Sequence, residues 1–282
     1  MFKISSALIS AALSISGVAL AEGINNNFAS AQACNASDWV DKDDFGSNQG
    51  FCSGTPSVYG IKVFKMGFCT SNPFTSAGIA VDYSSCTITF ADTSGVDSSF
   101  AAGTTISLPS GGTSIPAVGD YPFAVIEMDK TFDIAAEMGP FQDGTTYYST
   151  SSWTTSGSPG KTSGSAETFS AEMTSFDPNV SCQATSDPVI QSAATLTGYL
   201  IDSTSALIPD DAGVPNCSGV SKIVGVAQLN TPVAITSATT GLTATFTVTN
   251  NGSSVYCSTG GSGCSNLMFD SGPFKVAFTV VE

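Results

Sequence analysis

Residues 58–69 read Val-Tyr-Gly-Ile-Lys-Val-Phe-Lys-Met-Gly-Phe-Cys, and residues 86–90 read Cys-Thr-Ile-Thr-Phe. Both runs are rich in β-branched and aromatic residues and too short for an amphipathic helix, so they predict two strands. The loop between them carries Asn72-Pro73 and Ala77-Gly78, which favour turns. Because Cys69 ends one run and Cys86 begins the next, a disulfide would join the two strands at their loop ends.

Short strands recur along the rest of the chain. Thr131–Met138, Leu242–Val248 and Phe274–Val281 alternate between apolar and other residues, as strands with one buried face do. Asn251-Gly252 predicts a hairpin that leads into Val255–Cys257. Further strands are predicted at 104–108, 121–128, 145–155, 168–176, 194–202, 222–229 and 233–236. With no sustained helical periodicity after residue 21, the chain is predicted to be all-β, a disulfide-stapled β-sandwich or jelly roll.

The domain organisation is predicted from changes in composition along the chain. Residues 1–21 form a signal peptide, residues 22–57 an irregular N-terminal arm, residues 58–180 a first sandwich module and residues 181–282 a second. A Gly/Ser-rich stretch at Ser156–Ala166 is either a boundary or a long hairpin tip. A single interwoven sandwich remains the alternative.

The first 21 residues have the pattern of a secretory leader. A lysine at position 3 precedes the apolar run Ile4–Val18, and Ala19-Leu20-Ala21 is a small-x-small cleavage site, so we expect cleavage before Glu22. No later stretch approaches the length of about 20 apolar residues that a membrane span needs. We therefore expect a secreted protein without a transmembrane segment, located outside the cell or on its surface.

All eight cysteines lie after the predicted cleavage site. In an exported protein an even number of cysteines predicts disulfides, and a chain without histidine or Cys-x-x-Cys pairs does not favour zinc. Hairpin geometry favours pairing between neighbours along the chain. The predicted bridges are Cys34–Cys52, Cys69–Cys86, Cys182–Cys217 and Cys257–Cys264.

The charge is strongly acidic, with 8 lysines and no arginine against 23 acidic residues. The absence of a basic patch excludes nucleic-acid binding, and anionic membranes would repel the chain. Carboxylates can instead gather cations such as Ca²⁺, and Asp41, Asp43 and Asp44 are weak candidates for such a site. The run that starts at Asp41 fails as a calcium loop because Phe45 and Cys52 occupy ligand positions. No cofactor other than Ca²⁺ is suggested.

Catalytic chemistry is restricted by the complete lack of histidine. Ser-His-Asp and Cys-His catalysis and histidine-based metal catalysis are excluded on this chain alone. Glu127 and Asp129, with Asp133 and Glu137 nearby, form the remaining carboxylate group that a glycosidase could use. Since nothing in the sequence indicates burial, we expect these carboxylates to lie on a strand that reaches solvent, and no catalytic residue is assigned.

Two aromatic residues suggest a second kind of site. Tyr147 and Trp153 share one face of a predicted strand with Ser149 and Ser151, an arrangement on which sugar rings can stack. The alternative is that both rings belong to the core and keep one polar end at the surface.

The strand pattern over Val58–Phe90, followed by Gly119-Asp120-Tyr121, resembles that of uncharacterised secreted β-rich proteins of marine bacterioplankton. The resemblance covers the middle third of the chain and its C-terminal end. It implies an extracellular setting and carries over no activity.

These observations favour a structural protein that is exported in bulk and is not an enzyme. A chain without arginine and histidine uses little side-chain nitrogen, which suits a coat or filament made in quantity. We expect a homo-oligomer or polymer that forms a surface layer or filament. An adhesin or carbohydrate-binding module that contacts cell-surface glycans is the alternative, and a carboxylate-based hydrolase is a lesser one.

Overall fold

The computed structural model describes residues 12–13, 43, 51–100, 114–154, 157–176, 181–186, 189–190, 194–214, 216–248, 252–257, 264–272 and 274–282. These residues form strands and one 3₁₀ turn at Tyr83–Ser85. The strands are β1 (Ala12–Leu13), β2 (Phe51–Gly54), β3 (Val58–Cys69), β4 (Cys86–Phe100), β5 (Gly119–Asp129), β6 (Thr131–Ala135), β7 (Glu137–Met138), β8 (Tyr147–Tyr148), β9 (Ser158–Pro159), β10 (Phe169–Glu172), β11 (Val189–Ile190), β12 (Ala194–Ile201), β13 (Lys222–Ile235), β14 (Gly241–Thr247), β15 (Ser253–Cys257), β16 (Leu267–Ser271) and β17 (Lys275–Val281).

An eight-stranded antiparallel sheet forms the first layer. Its strands follow the order β10-β6-β3-β5-β13-β12-β11, and β4 pairs with β3. The predicted pair of strands at 58–69 and 86–90 is confirmed, with Cys69 directly opposite Cys86. However, β4 continues to Phe100, ten residues beyond the predicted end of this strand at Phe90. The register between the two strands shifts after Val63 and again after Met66. These shifts allow β4 to pair with β3 on both sides of the polar segment Asp92–Gly95 of β4.

Two smaller sheets form the second layer, with strand orders β2-β15-β16-β9 and β1-β17-β14. The core lies between the layers. Phe68 of the large sheet packs on Phe278 with ring centroids 4.8 Å apart, and Tyr59 packs on Phe274 at 6.1 Å. The protein is therefore all-β with a disulfide-containing sandwich fold, as predicted.

Strands from the two predicted modules share one sheet. β5 of the first pairs with β13 of the second over almost its full length, and β13 in turn pairs with β12. The division into two modules with a boundary near residue 180, and the single interwoven sandwich that is its alternative, both stay predictions. Of the segment predicted to be an irregular arm, Phe51–Gly54 belongs to the sandwich as β2.

The alternating patterns predict the buried faces well. Phe132, Ile134, Ala136 and Met138 are all buried, whereas Asp133 and Glu137 are exposed. Phe246, Val248, Phe274 and Phe278 are buried in the same way.

Three details of the predicted strands are wrong. The stretches 222–229 and 233–236 form one strand, β13, because a bulge between Gln228 and Val233 accommodates the intervening Asn-Thr-Pro. Of the strand predicted at 145–155, only Tyr147–Tyr148 is regular among the described residues 145–154. The hairpin predicted at Asn251-Gly252 does not form, since β14 pairs with β17 whereas β15 pairs with β2 and β16. Gly252, at φ +80°, instead lies where the chain passes from one small sheet to the other.

The structure contains three of the predicted disulfides, Cys69–Cys86, Cys182–Cys217 and Cys257–Cys264. Cys52 is also disulfide-bonded. Cys34 lies outside the described residues, as does the predicted signal peptide except for Ala12–Leu13.

The sandwich has two ends, which the strand register locates. At the apical end β5 begins and β13 finishes, with Gly119 opposite Ile235, and β17 finishes at Val281. At the basal end Met138 pairs with Tyr147, and the neighbouring Leu267 pairs with Cys257 of the Cys257–Cys264 loop.

Candidate functional site

The carboxylates singled out in the sequence have very different surroundings. Asp133 and Glu137 are exposed and Asp129 is half-buried, but the side chain of Glu127 is completely buried. The expectation that Glu127 points into solvent is wrong. It lies on the outer face of the large sheet, the face turned away from the main core, beside the buried Val125 and Val224.

Glu127 is held by three donors from three different segments. Lys65 Nζ lies 2.7 Å from Oε2 and Lys222 Nζ lies 2.6 Å from Oε1, while the Tyr83 hydroxyl donates to Oε2 at 2.9 Å. Lys65 stands directly opposite Glu127 on β3, and Lys222 comes from β13 on the other side. The carboxylate therefore links three neighbouring central strands. We call these four residues the Glu127 clamp.

The donors decide the charge of the clamp. Burial alone would raise the pKa of Glu127, but hydrogen bonds from Lys222 and Lys65, the charge of Lys65 and the bond from Tyr83 outweigh burial and lower the pKa. Burial raises the pKa of the Tyr83 hydroxyl, and the negative charge of Glu127 raises it further. At neutral pH the clamp thus contains an ionised carboxylate and a neutral phenol. Because both carboxylate oxygens already accept hydrogen bonds, Glu127 is poorly suited to act as a general acid or base.

A long loop covers the same outer face. The loop runs from residue 70 to residue 85 and is closed at its base by the Cys69–Cys86 disulfide. Phe74 stacks on Tyr199 with ring centroids 3.9 Å apart, and the Gly78 amide donates to the carbonyl of Leu207 at 2.8 Å. We call residues 70–85 the flap. Through Tyr83, the Glu127 clamp fastens the flap to the centre of the sheet.

An acidic cleft lies on the large sheet between β3, β4 and β6. It has a volume of about 460 Å³ and its charged lining residues are Lys62, Asp97, Asp129 and Asp133. Lys62 Nζ approaches Asp97 Oδ1 at 3.5 Å, and Asp133 accepts a hydrogen bond from the Ser170 hydroxyl at 2.6 Å. Asp129 and Asp133, two of the carboxylates that the sequence singled out, therefore face this cleft, whereas Glu127 does not.

The candidate aromatic site is partly used for packing. Trp153 stacks on Phe169 with ring centroids 5.6 Å apart and an interplanar angle of 6°, and Tyr147 meets Phe141 edge to face at 5.8 Å. Both rings are half-buried against the main core. Tyr147 lies in β8, whereas Trp153 lies outside it, so the two do not share one regular strand face. Contact with glycans through their exposed edges stays a prediction.

The weak cation candidates are only partly described. Asp43 is exposed, and its Oδ1 accepts a hydrogen bond from the amide of Cys264 at 2.9 Å, whereas Asp41 and Asp44 lie outside the described residues. Within the ranges given above, no group of three or more His, Cys, Asp and Glu side chains is arranged to hold a metal ion. Asp43 thus contacts the basal end through Cys264.

Sequence reasoning missed Lys65, Lys222 and Tyr83 as partners of Glu127. A signal for the clamp was present, because Glu127 interrupts the apolar run of residues 121–128 and Lys65 interrupts the apolar run of residues 58–69. A charged residue inside a strand that is buried on both faces requires a partner of opposite charge. The pairing of β13 with β5, which supplies Lys222, joins residues 95 positions apart and leaves no local pattern.

Comparisons give no relatives for this chain: no family model matches it, and no similar protein is found among curated proteins or solved structures. Over the part of the chain that the structure describes, no helix is long and apolar enough to cross a membrane.

Proposed function

We propose that the protein is an exported structural subunit that assembles with copies of itself into a coat or filament outside the cell. The observation that carries this proposal is the Glu127 clamp, in which a fully buried carboxylate joins three central strands and the flap. The disulfides support export, because they persist in oxidising compartments. The leader pattern of residues 1–21 agrees with export.

The clamp favours a structural role because both carboxylate oxygens of Glu127 are bonded to other side chains of the protein. A catalytic carboxylate needs an oxygen that is open to a substrate, and the two oxygens of Glu127 are taken by Lys65, Lys222 and Tyr83. The remaining described ion pairs, such as Lys130 with Glu172 and Lys161 with Glu167, lie at the surface. A subunit of an extracellular layer has to keep its fold in changing solvent, and such cross-links suit that task.

The proposal is tested by electron microscopy and sedimentation velocity on purified protein that starts at Glu22. We expect regular polymers, or oligomers whose size grows with concentration. A protein that stays monodisperse and monomeric from micromolar to millimolar concentration, with and without calcium, would overturn the proposal.

A binding protein is the second candidate function, and the acidic cleft is the observation that favours it. Besides three aspartates, the cleft is lined by the hydroxyl residues Ser98, Ser99, Thr131 and Thr168. Carboxylates and hydroxyls are suitable partners for the hydroxyl groups of a sugar. Binding to a glycan array that is lost on replacing Asp129 and Asp133 by Asn would support an adhesin. The same pair would have to supply the chemistry of a hydrolase, since Glu127 does not face the cleft.

A further inference from the structure

The acidic cleft has a floor that is formed by a glycine. Tyr59 and Ile61 belong to the main core, so Gly60 between them faces the outer side of the large sheet. Gly60 stands directly opposite Ser99 on β4 and Asp133 on β6. A Cβ added to Gly60 would lie 3.1 Å from the Cβ of Asp133. A larger residue at this position would therefore occupy the space at the bottom of the cleft.

Two carboxylates of the cleft are bonded only to neutral donors. Asp129 accepts a hydrogen bond from the amide of Thr131 at 2.9 Å, and Asp133 accepts one from the hydroxyl of Ser170 at 2.6 Å. The lysine of the cleft is paired with the third aspartate. Over the described residues the cleft thus carries two negative charges that no ammonium group balances. Because the whole chain is also strongly acidic, the cleft attracts cationic ligands and repels anionic ones.

The rest of the lining suits a ligand that carries hydroxyl groups. Ser99, Thr131 and Thr168 line the cleft, and their hydroxyls can both donate and accept hydrogen bonds. The volume of about 460 Å³ lies within the range of about 300–1,000 Å³ that small-molecule sites have. A sugar with a free amino group combines a positive charge with several hydroxyls, so it matches both parts of the lining.

We propose that the acidic cleft binds an amino sugar, whose ammonium group contacts Asp129 and Asp133 and whose ring lies over Gly60. This inference rests on the second candidate function, glycan binding, and names the class of sugar. A neutral sugar of the same shape fills the cleft but lacks the charged contact. An acidic sugar is repelled by the same carboxylates.

Calorimetric titration with two matched ligands tests the charge. The ligands are a glucosamine oligosaccharide and its N-acetylated counterpart of equal length, in calcium-free buffer at a pH where the amine is protonated. We expect the free amine to bind at least about tenfold more tightly, which corresponds to one hydrogen bond between charged groups.

Two double variants locate the charged contact. Replacing Asp129 and Asp133 together by Asn should abolish the preference for the free amine. Replacing Asp92 and Asp143 together by Asn removes the same charge outside the cleft and should leave the preference unchanged. The control is matched, because each of its carboxylates accepts a hydrogen bond from the amide two residues later, as Asp129 does.

Two glycine variants test the floor of the cleft. Gly60→Ala places a methyl group on the floor, whereas Gly225→Ala places one on β13, outside the cleft, at the same distance of 3.1 Å from its nearest neighbour, Ile126. Neither glycine has a positive φ, so both backbones accept alanine. We expect Gly60→Ala to weaken binding of the amino sugar by about tenfold and Gly225→Ala to leave it unchanged. Melting temperatures verify that every variant folds.

The outcomes separate this inference from the function on which it rests. If both sugars bind equally well, or if the preference survives in the Asp129 and Asp133 variant, the class of sugar is wrong although the protein binds glycans. If the control pair loses the preference to the same extent, or if Gly60→Ala binds as the wild type does, the cleft is not the site. If neither sugar binds and a glycan array gives no other ligand, the glycan-binding function itself fails.

Discussion

Replacing Glu127 by Gln should cost far more stability than its small change in shape implies. Gln keeps the volume of the side chain but removes its charge, so two ammonium groups lose their shared counter-ion. The new amide also presents an N–H₂ donor where the carboxylate had an acceptor, and in either orientation that donor faces an ammonium group, Lys222 at one oxygen position or Lys65 at the other. At least one hydrogen bond is then replaced by two donors that face each other.

The size of the effect follows from the burial of the clamp. Removing one partner of a buried ion pair costs about 3–5 kcal/mol. The side chains of Lys65 and Lys222 are 34% and 28% exposed, so both can turn partly towards water and reduce that loss. We therefore expect Glu127→Gln to lower the free energy of unfolding by about 3 kcal/mol, near the lower limit of that range.

Equilibrium unfolding in guanidinium chloride measures this loss, with Glu172→Gln as the control. Glu172 pairs with Lys130 but is 49% exposed, and exposed pairs contribute about 0–1 kcal/mol. A second variant, in which Glu127, Lys65 and Lys222 become Leu, Met and Met, should recover most of the loss, because an apolar replacement leaves no charge unpaired. A loss below about 1 kcal/mol for Glu127→Gln, or a triple variant as unstable as the single one, would refute the reasoning.

The pH dependence of stability provides a further check on the same residue. The pKa of Glu127 is lower in the folded protein than its ordinary value of 4.5. Its ionisation therefore stabilises the fold fully above the unfolded value, and this contribution is lost as the pH falls through the lower, folded value. The difference in stability between wild type and Glu127→Gln should be constant near neutral pH and shrink below pH 4.5. A difference that stays constant into acid would mean that the charge is not responsible.

The remaining predictions concern the flap, the aromatic stack and the acidic cleft. Replacing Cys69 and Cys86 together by Ala should lower the free energy of unfolding by about 2–4 kcal/mol and speed hydrogen exchange throughout residues 70–85. Replacing Cys257 and Cys264 together by Ala should leave hydrogen exchange in residues 70–85 unchanged. Trp153→Ala should cost about 2–3 kcal/mol through loss of the stack on Phe169, and unchanged unfolding would show that the ring does not pack in solution. Millimolar calcium should raise the melting temperature more than sodium does at equal ionic strength, and changing Asp129 and Asp133 to Asn should remove this difference. If the wild type responds equally to both salts, screening of its charges alone explains the stabilisation.

Much of the fold could be predicted because it rests on local patterns. Alternation along residues 131–138 and 242–248 correctly predicts the buried Phe132, Ile134, Phe246 and Val248, since one face of each strand meets the core. The closeness of Cys69 to Cys86 and of Cys257 to Cys264 along the chain was sufficient to predict those bridges.

The assignment of strands to sheets could not be predicted in the same way. A turn signal such as Asn251-Gly252 predicts that the chain reverses or bends, but it does not decide whether the next strand pairs with the previous one. Here the edge of β14 is taken by β17, which comes about 30 residues later, and β15 pairs with β2, about 200 residues earlier. Pairings over such separations depend on how the faces pack in three dimensions, and the Glu127 clamp depends on them too.

The clamp also explains how the central strands find a single register. Between Lys65 and Cys69, where the pairing of β3 with β5 is regular, a shift by two residues would keep each side chain on its own face, so the apolar alternation there does not forbid it. After a shift that moves Glu127 towards Cys69, it would face Gly67 instead of Lys65. A buried carboxylate without its ammonium partner costs several kcal/mol, which is enough to exclude the shifted pairing. Lys222 imposes the same condition on β13 from the other side. Glu127 thus holds the three central strands β3, β5 and β13 in one register.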